Sequence, residues 1–567
     1  MYNLRRVTAS FLKRIPLSSH IFNPSSRLYT NALINSLSTN RRILFSYKYG
    51  NYGDSSSRMN YKDGYIWSII AGQAAIILGI NANPVLANAS NESNSETESE
   101  GANVIGLRKI EDGSVISNIH TSKWRIFTDN GRAYFLQGKL DEAEKFFLSA
   151  LEEAKKGFGN REPHVASACN NLAELYRVKK AFDKAEPLYL EAVNILEESF
   201  GPDDIRVGAA FHNLGQFYLM QRKLEEARNC YERALKIKRH VLGHDHTDYA
   251  DTMYHLGTVL YLQGKEKDAE DLIQDSIQIL EGAGQGESIM CIRRLRYLSQ
   301  IYLKSNRVAE AENVQRKVLH IMELLKGWNS MDTVITAESL ALTLQAAGSL
   351  KEARELLERC LDARKTLLPQ DHIQIGANML HIARVVMLNA NRLRKISISE
   401  AIAELDKAKD LLYNSTRIAR QVLKKLRNQK GSREKNAASE ETRREGHAAL
   451  IILLQSLDAL AHVEITKEEL QESTNEHPSA VEAESALFQC ISAYKQFESE
   501  RSISDSPEVK AEYLSCLKRL STLISDSAVK EIKLSGKPSL QELNDEIKRV
   551  QGAISHHNRS KFRGGMS

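Results

Sequence analysis

Ala168-Cys169-Asn170-Asn171-Leu172-Ala173-Glu174-Leu175-Tyr176, followed shortly by Ala185-Glu186-Pro187-Leu188-Tyr189, is the stretch whose reading decides the fold. Forty-two residues on, the same types return as Leu214-Gly215 with Tyr218, then Ala227 with Tyr231. Ala143, Ala185, Ala227, Ala269, Ala311 and Ala353 all keep that step. So do Leu172, Leu214, Leu256, Leu298 and Leu340, each followed by a small residue (Ala173, Gly215, Gly257, Ser299, Ala341). Tyr134, Tyr176, Tyr218 and Tyr302 share a third register, with Leu260 and Leu344 filling its gaps.

The residue types have a physical reason. Two antiparallel helices cross closely only where the crossing positions carry little side chain, while Leu and Tyr beside them fill the space to the next pair. One such hairpin cannot bury its apolar face alone, so several must stack. The expectation is an all-α, right-handed superhelical solenoid of antiparallel helix hairpins, with about six to eight repeats. Its repeats span 124–395, with degenerate helical repeats or a cap over 396–530 and a weakly ordered tail over 531–567. Helices are expected at 372–391, 399–427, 446–466, 480–498 and 507–526, the charged stretch 428–445 reading as a loop. Ala449, Leu453, Leu457 and Leu460 form one apolar stripe.

Leu-Gly/Ala-x-x-Tyr, then Ala and an aromatic (Phe147, Tyr189, Tyr231), resembles the tetratricopeptide repeat. Its 42-residue period, and the connecting turn Leu242-Gly243-His244-Asp245-His246, resemble the kinesin light chain type. That resemblance covers about residues 124–391 and implies a protein-binding module whose peptide groove lies on the concave wall. Two residues before each ladder Leu stand Asn170, His212, Tyr254, Arg296 and Glu338; two after stand Glu174, Gln216, Thr258 and Gln300. With Arg177, these are the expected partner-binding positions, facing solvent from the first helix of each hairpin. Polar, amide-rich side chains suit hydrogen bonding to an extended peptide backbone. Glu174, Arg177, Arg296 and Glu338 mix both signs, so no clamp for a partner's terminal carboxylate is indicated.

Charge divides the chain. The net charge is +5, but residues 1–53 hold eight Lys/Arg and no Asp or Glu, which leaves about −3 for the rest. A body this close to neutral lacks the basic face that holds nucleic acid by counterion release. The acid-free, Ser- and Arg-rich start reads as an organellar transit peptide. Leu4, Val7, Phe11 and Ile15 share one helical face, and Arg27-Leu28-Tyr29-Thr30 resembles a plant mitochondrial processing site. A chloroplast address shares the composition, and a disordered basic tail is the plainer reading.

Gly64 to Asn91 contains no Asp, Glu, Lys, Arg or His. Residues 64–87 approach the roughly 20 apolar residues a membrane-spanning helix needs. A cleaved sorting segment ending at Ala87-Asn88-Ala89 and a buried helix are the rivals. Arg58 and Lys62 before it, and Glu92 to Glu100 after it, would put the body in the intermembrane space. A polar linker follows over 88–123.

Chemistry is scarce. Asp371-His372 recurs three periods after Asp245-His246, so this pair reads as turn chemistry rather than metal ligation. Gly282-Ala283-Gly284-Gln285-Gly286 follows a helix and lacks a succeeding Lys-Ser/Thr, so it reads as a turn, not a phosphate loop. Six scattered Cys read as buried or free thiols. No catalytic residue, cofactor, metal or small-molecule substrate is expected. The expected function is a non-enzymatic scaffold that binds a protein or peptide and supports assembly or maintenance of a mitochondrial inner-membrane respiratory complex, tethered by one helix. Three alternatives stand beside it: a soluble matrix or intermembrane-space adaptor, a kinesin light chain-related cargo adaptor, and an enzyme using 396–567.

Overall fold

The computed structural model describes residues 119–429, 440–472, 481–498, 504–529 and 540–563. The basic segment 1–53, the apolar segment 64–87 and most of the linker 88–123 lie outside the described residues. Eighteen helices and no strand occur among those described. They fall into two compact units, one ending at Leu325 and one beginning at Lys326.

The first unit contains α1 (Ile119–Leu136), α2 (Leu140–Phe158), α3 (Pro163–Val178), α4 (Phe182–Phe200), α5 (Ile205–Met220), α6 (Leu224–Leu242), α7 (Thr247–Leu262), α8 (Glu266–Gly282), α9 (Ile289–Lys304) and α10 (Val308–Lys326). Consecutive helices from α1 to α9 pack against one another, and the first helices α5 and α7 also touch. Leu298 of α9 and Val318 of α10 belong to one apolar cluster. The 42-residue step is visible as burial. Ala143, Ala185, Ala227, Ala269 and Ala311 are all wholly enclosed. A Cβ added to Gly257 would stand 2.9 Å from Ile273 and 3.1 Å from the Ala269 carbonyl. Close crossing excludes larger residues there. Phe147, Tyr189, Tyr231 and Ile273 fill the adjoining space, each burial contributing about 1.5–3 kcal/mol.

The turns repeat with the same step. Gly138, Lys180, Arg222, Gly264 and Asn306 all have positive φ, between 59° and 84°. At each, the next residue's N–H donates to the carbonyl of Tyr134, Tyr176, Tyr218, Leu260 or Tyr302. This is a left-handed helix cap that satisfies an otherwise orphaned carbonyl. The third ladder therefore marks the last turn of every first helix. At the other connection, Asp204, His246 and Ser288 each accept a backbone N–H at a helix start.

The second unit contains α11 (Met331–Ala347), α12 (Leu350–Leu367), α13 (Ile373–Leu393), α14 (Ile398–Gln429), α15 (Glu440–Glu472), α16 (Val481–Phe497), α17 (Pro507–Val529) and α18 (Leu540–Arg563). Ala353 is wholly buried here, and Gly348 has the left-handed turn. His372 caps α13 through its Nδ1, which accepts from the Gln374 N–H, just as His246 Nδ1 accepts from Asp248. Turn chemistry therefore explains the recurring Asp-His pair.

Several boundaries differ from the expectations. The division into compact units falls at 325/326, inside the span read as repeats. The linker read as far as 123 gives way to helix at Ile119. Residues 428–429 and 440–445 of the expected loop belong to helices ending at Gln429 and beginning at Glu440, and 430–439 lie outside the described residues. The tail from 531 carries α18, because Leu543 and Val550 bury one face and Tyr513 donates to Glu546. The reading of all six Cys as buried or free thiols is corrected for two: Cys490 and Cys516 form a disulfide joining α16 to α17. Cys169, Cys230, Cys291 and Cys360 are free and buried.

Among the described residues, Arg443–Gln471 within α15 is the one segment long and apolar enough to cross a membrane. Its stripe Ala449, Leu453, Leu457 and Leu460 is buried, and 72% of the apolar window is enclosed by protein. That is a core helix by packing.

Candidate partner-binding site

The ten expected partner-binding positions do not share one environment. Asn170, Gln216, Thr258, Arg296 and Gln300 are half-buried on first helices. Glu174, Arg177, His212, Tyr254 and Glu338 are buried, which corrects the expectation that they face solvent. On α3 all seven residues from Asn171 to Arg177 are buried. A first helix is covered by its own second helix and by the next hairpin, so only a narrow strip stays open.

The buried members are held in polar networks. Arg177 donates to Glu174 through Nε (3.0 Å) and Nη2 (2.7 Å), and the Tyr189 hydroxyl donates to the other Glu174 oxygen. In the second unit, Arg364 grips Glu338 with two bonds of 2.7 Å and donates to Asn378 at 3.0 Å. Burial opposes the Glu338 carboxylate, but Arg364 outweighs it and keeps its pKa below the usual range. Among the half-buried positions, Asn170 accepts from Asn213 at 3.0 Å, and Thr258 donates to the Tyr254 carbonyl.

A cluster on α5 and α7 was missed by reading the ladder alone. His212 Nε2 lies 3.5 Å, and His255 Nε2 3.8 Å, from Asp251 Oδ2. The amide nitrogen of Gln216 stands 2.9 Å from His212 Nε2 and 3.4 Å from His255 Nε2. Thr252 Oγ1 already donates to the Asp248 carbonyl, so it accepts from the His212 Nδ1–H at 3.0 Å. That bond leaves the Nε2 lone pair facing Asp251 and Gln216. Burial pushes the pKa of His212 well down, aided by Lys238 and His255, and brings His255 to about 4. Both rings are neutral near pH 7. Burial also opposes the charge on Asp251, but His255 and His212, which gain charge only in acid, together with Arg294 and Lys238 hold its pKa below the usual range. Arg294, itself buried, donates to Asp251 Oδ1 at 3.3 Å and to the Ser276 carbonyl at 2.8 Å. The available signal in the sequence was Asp251 and His255 at i, i+4 on a first helix, one repeat after His212.

Comparison with known proteins agrees with this architecture. Models of the tetratricopeptide repeat match residues 125–198, 164–239 and 206–282, and a second such model matches 333–374. The chain carries tetratricopeptide repeats. No curated protein sequence matches it. Its structural neighbours include a kinesin light chain-like protein of nearly identical TPR-like repeats from Podosopora anserina, at 20% identity and a TM-score of 0.34. That match covers 36% of this chain and 98% of the other. BtubC (BKLC) from P. vanneervenii is similar at 18% identity and a TM-score of 0.35, over 44% of this chain and 92% of its own. RapI, in its apo form, matches 73% of this chain and 100% of its own at 11% identity and a TM-score of 0.41.

Proposed function

We propose that this tetratricopeptide-repeat chain is a non-enzymatic scaffold that holds a protein or peptide against its first helices. In this reading it serves the assembly or maintenance of a mitochondrial inner-membrane complex. Tetratricopeptide-repeat proteins bind protein or peptide partners, and the repeats recognised over 125–282 and 333–374 are the observation that carries the reading. Half-buried amides and hydroxyls at Asn170, Gln216, Thr258 and Gln300 have the chemistry an extended peptide backbone needs. The mitochondrial address rests on the acid-free, basic composition of residues 1–53, and the tether on the uncharged run 64–91.

Proximity labelling inside the organelle tests the partner surface. A variant with Asn170, Arg296 and Gln300 changed to Ala should lose its principal labelled neighbours while keeping its helical circular dichroism. An unchanged set of neighbours places the docking surface elsewhere. Carbonate extraction of isolated mitochondria tests the tether separately, and release of the chain into the soluble fraction would remove it.

A further inference from the structure

We propose that His212, Asp251 and His255 form a binding site for one divalent transition-metal ion of the zinc class, with the side chain of Gln216 at its fourth corner. This inference is independent of which partner the first helices hold. Zinc takes imidazole nitrogen at about 2.0–2.1 Å and carboxylate oxygen at about 2.0–2.2 Å in tetrahedral array, which places neighbouring donor atoms roughly 3.4 Å apart. The two imidazole nitrogens lie 3.5 and 3.8 Å from the same carboxylate oxygen. Those separations are long for hydrogen bonds and within a few tenths of an ångström of a tetrahedral edge. All three donor atoms lie within 4.8 Å of one another.

The scaffold fixes these donors in advance. Asp251 and His255 occupy one face of α7 at i, i+4, and His212 approaches from the touching helix α5. Thr252 holds the His212 ring by its Nδ1, leaving Nε2 for an ion, and Arg294 holds the second oxygen of Asp251. Outer-shell bonds of this kind orient metal ligands in known sites. Gln216 now bridges both nitrogens through its amide NH2. Turning that amide over presents its oxygen instead, a choice set by hydrogen bonding and not by shape.

A separate observation points the same way. Tyr231 is wholly buried, and its hydroxyl has no hydrogen-bond partner. Its ring stacks on His255 at 5.7 Å and meets His212 edge-on at 5.5 Å. An unpaired buried hydroxyl beside a set of ligands is costly unless something there accepts it. A water that takes the fourth corner in place of the Gln216 amide supplies that acceptor. Lys238 and Arg294, both positive and buried, oppose a dication, so they weaken the site without altering its geometry.

The test titrates the full-length chain with zinc chloride by calorimetry and with cobalt(II) as an optical probe. The wild-type chain should take up one more ion than His212→Ala or His255→Ala, with visible cobalt bands that those variants lack. Thr252→Val should weaken binding about 10–100-fold, and Lys238→Met should tighten it. The tightening distinguishes a metal site from a hydrogen-bonded cluster that the substitutions merely disturb. Equal uptake and equal spectra in wild type and the His variants would overturn the proposal, as would no uptake at all. Should the His variants lose their helical circular dichroism, Thr252→Val and Lys238→Met decide it: unchanged affinity in both overturns the site.

Discussion

The cluster around His212 in the first unit and the cluster around Glu338 in the second occupy the same repeat positions, three periods apart. His212, Lys238, Thr252 and His255 correspond to Glu338, Arg364, Asn378 and His381. In the second unit the set closes on itself, with Glu338, Arg364 and Asn378 joined by bonds of 2.7–3.0 Å. In the first, His212 replaces the carboxylate, so Lys238 has lost that anion and donates to the Asp248 carbonyl at 3.3 Å. The carboxylate appears instead at Asp251, where the second unit has Ala377. One frame thus carries a bidentate ion pair at one place and a set of metal-type donors at another. The lesson is that the 42-residue ladder dictates where polar groups are buried, and the residues between its rungs decide what those groups can do.

Breaking the closed cluster should have the largest effect. Glu338→Gln leaves Arg364 buried without its counter-charge, and removing one partner of a buried pair costs about 3–5 kcal/mol. Urea denaturation followed at 222 nm should show that loss. Replacing both partners, as Glu338→Leu with Arg364→Met, should recover most of it, since an apolar pair of similar volume removes the desolvation cost as well. Equal stability of the single and double variants would mean that the pair does not act as a unit.

Overpacking a rung comes next. Gly257→Val forces its side chain into Ile273 and the Ala269 carbonyl, and should cost about 1–3 kcal/mol. The same rung in the second unit is Ala341, already carrying a Cβ and buried. Ala341→Gly therefore opens a small gap and should cost less than Gly257→Val, on the same denaturation curves.

Acid sharpens the comparison through the paired positions His255 and His381. Burial brings both down to about 4. A histidine depressed in the folded state binds its proton first in the unfolded chain, so its contribution is complete above roughly pH 6.5 and is lost as pH falls toward 4. Each such group steepens the decline by up to about 1.4 kcal/mol per pH unit. His255→Gln and His381→Gln should each flatten the plot of stability against pH in that window. If neither does, the imidazoles are not held neutral.

The repeat, its step and its turns were legible in the sequence because close crossing admits only Ala, Gly or Ser and the core demands Leu and Tyr beside them. The role of His246 and His372 was legible too, since a cap must recur wherever the helix start recurs. The environment of Glu174, Arg177, His212, Tyr254 and Glu338 was not. Counting two residues from a buried Leu finds the opposite side of an isolated helix, whereas each first helix here has neighbours on more than one side. The His212 cluster was hidden for a related reason: its members lie on two helices, and only packing brings His212 to the Asp251–His255 face. Helix α18 was overlooked because its apolar stripe is thin against many charges, and its order depends on Tyr513 and Glu498 elsewhere in the chain.

The smallest expected effect lies in the turns, where the two units again differ at one register. The second unit places Gly348 at the left-handed position, as the first does with Gly138 and Gly264, but the first also places Lys180, Arg222 and Asn306 at equivalent ones. A side chain there costs roughly 1–2 kcal/mol through its Cβ, with Asn tolerated best because its short amide bonds locally. Glycine gives back about 0.4–1 kcal/mol through the greater freedom of the unfolded chain. Lys180→Gly and Arg222→Gly should therefore stabilise by at most about 1.6 kcal/mol, and Asn306→Gly by less than either. Thermal denaturation would resolve the order of the three. A loss of stability at Lys180 or Arg222 would mean that those side chains contribute contacts worth more than the strain they carry, and that the turns, like the clusters, are specialised repeat by repeat.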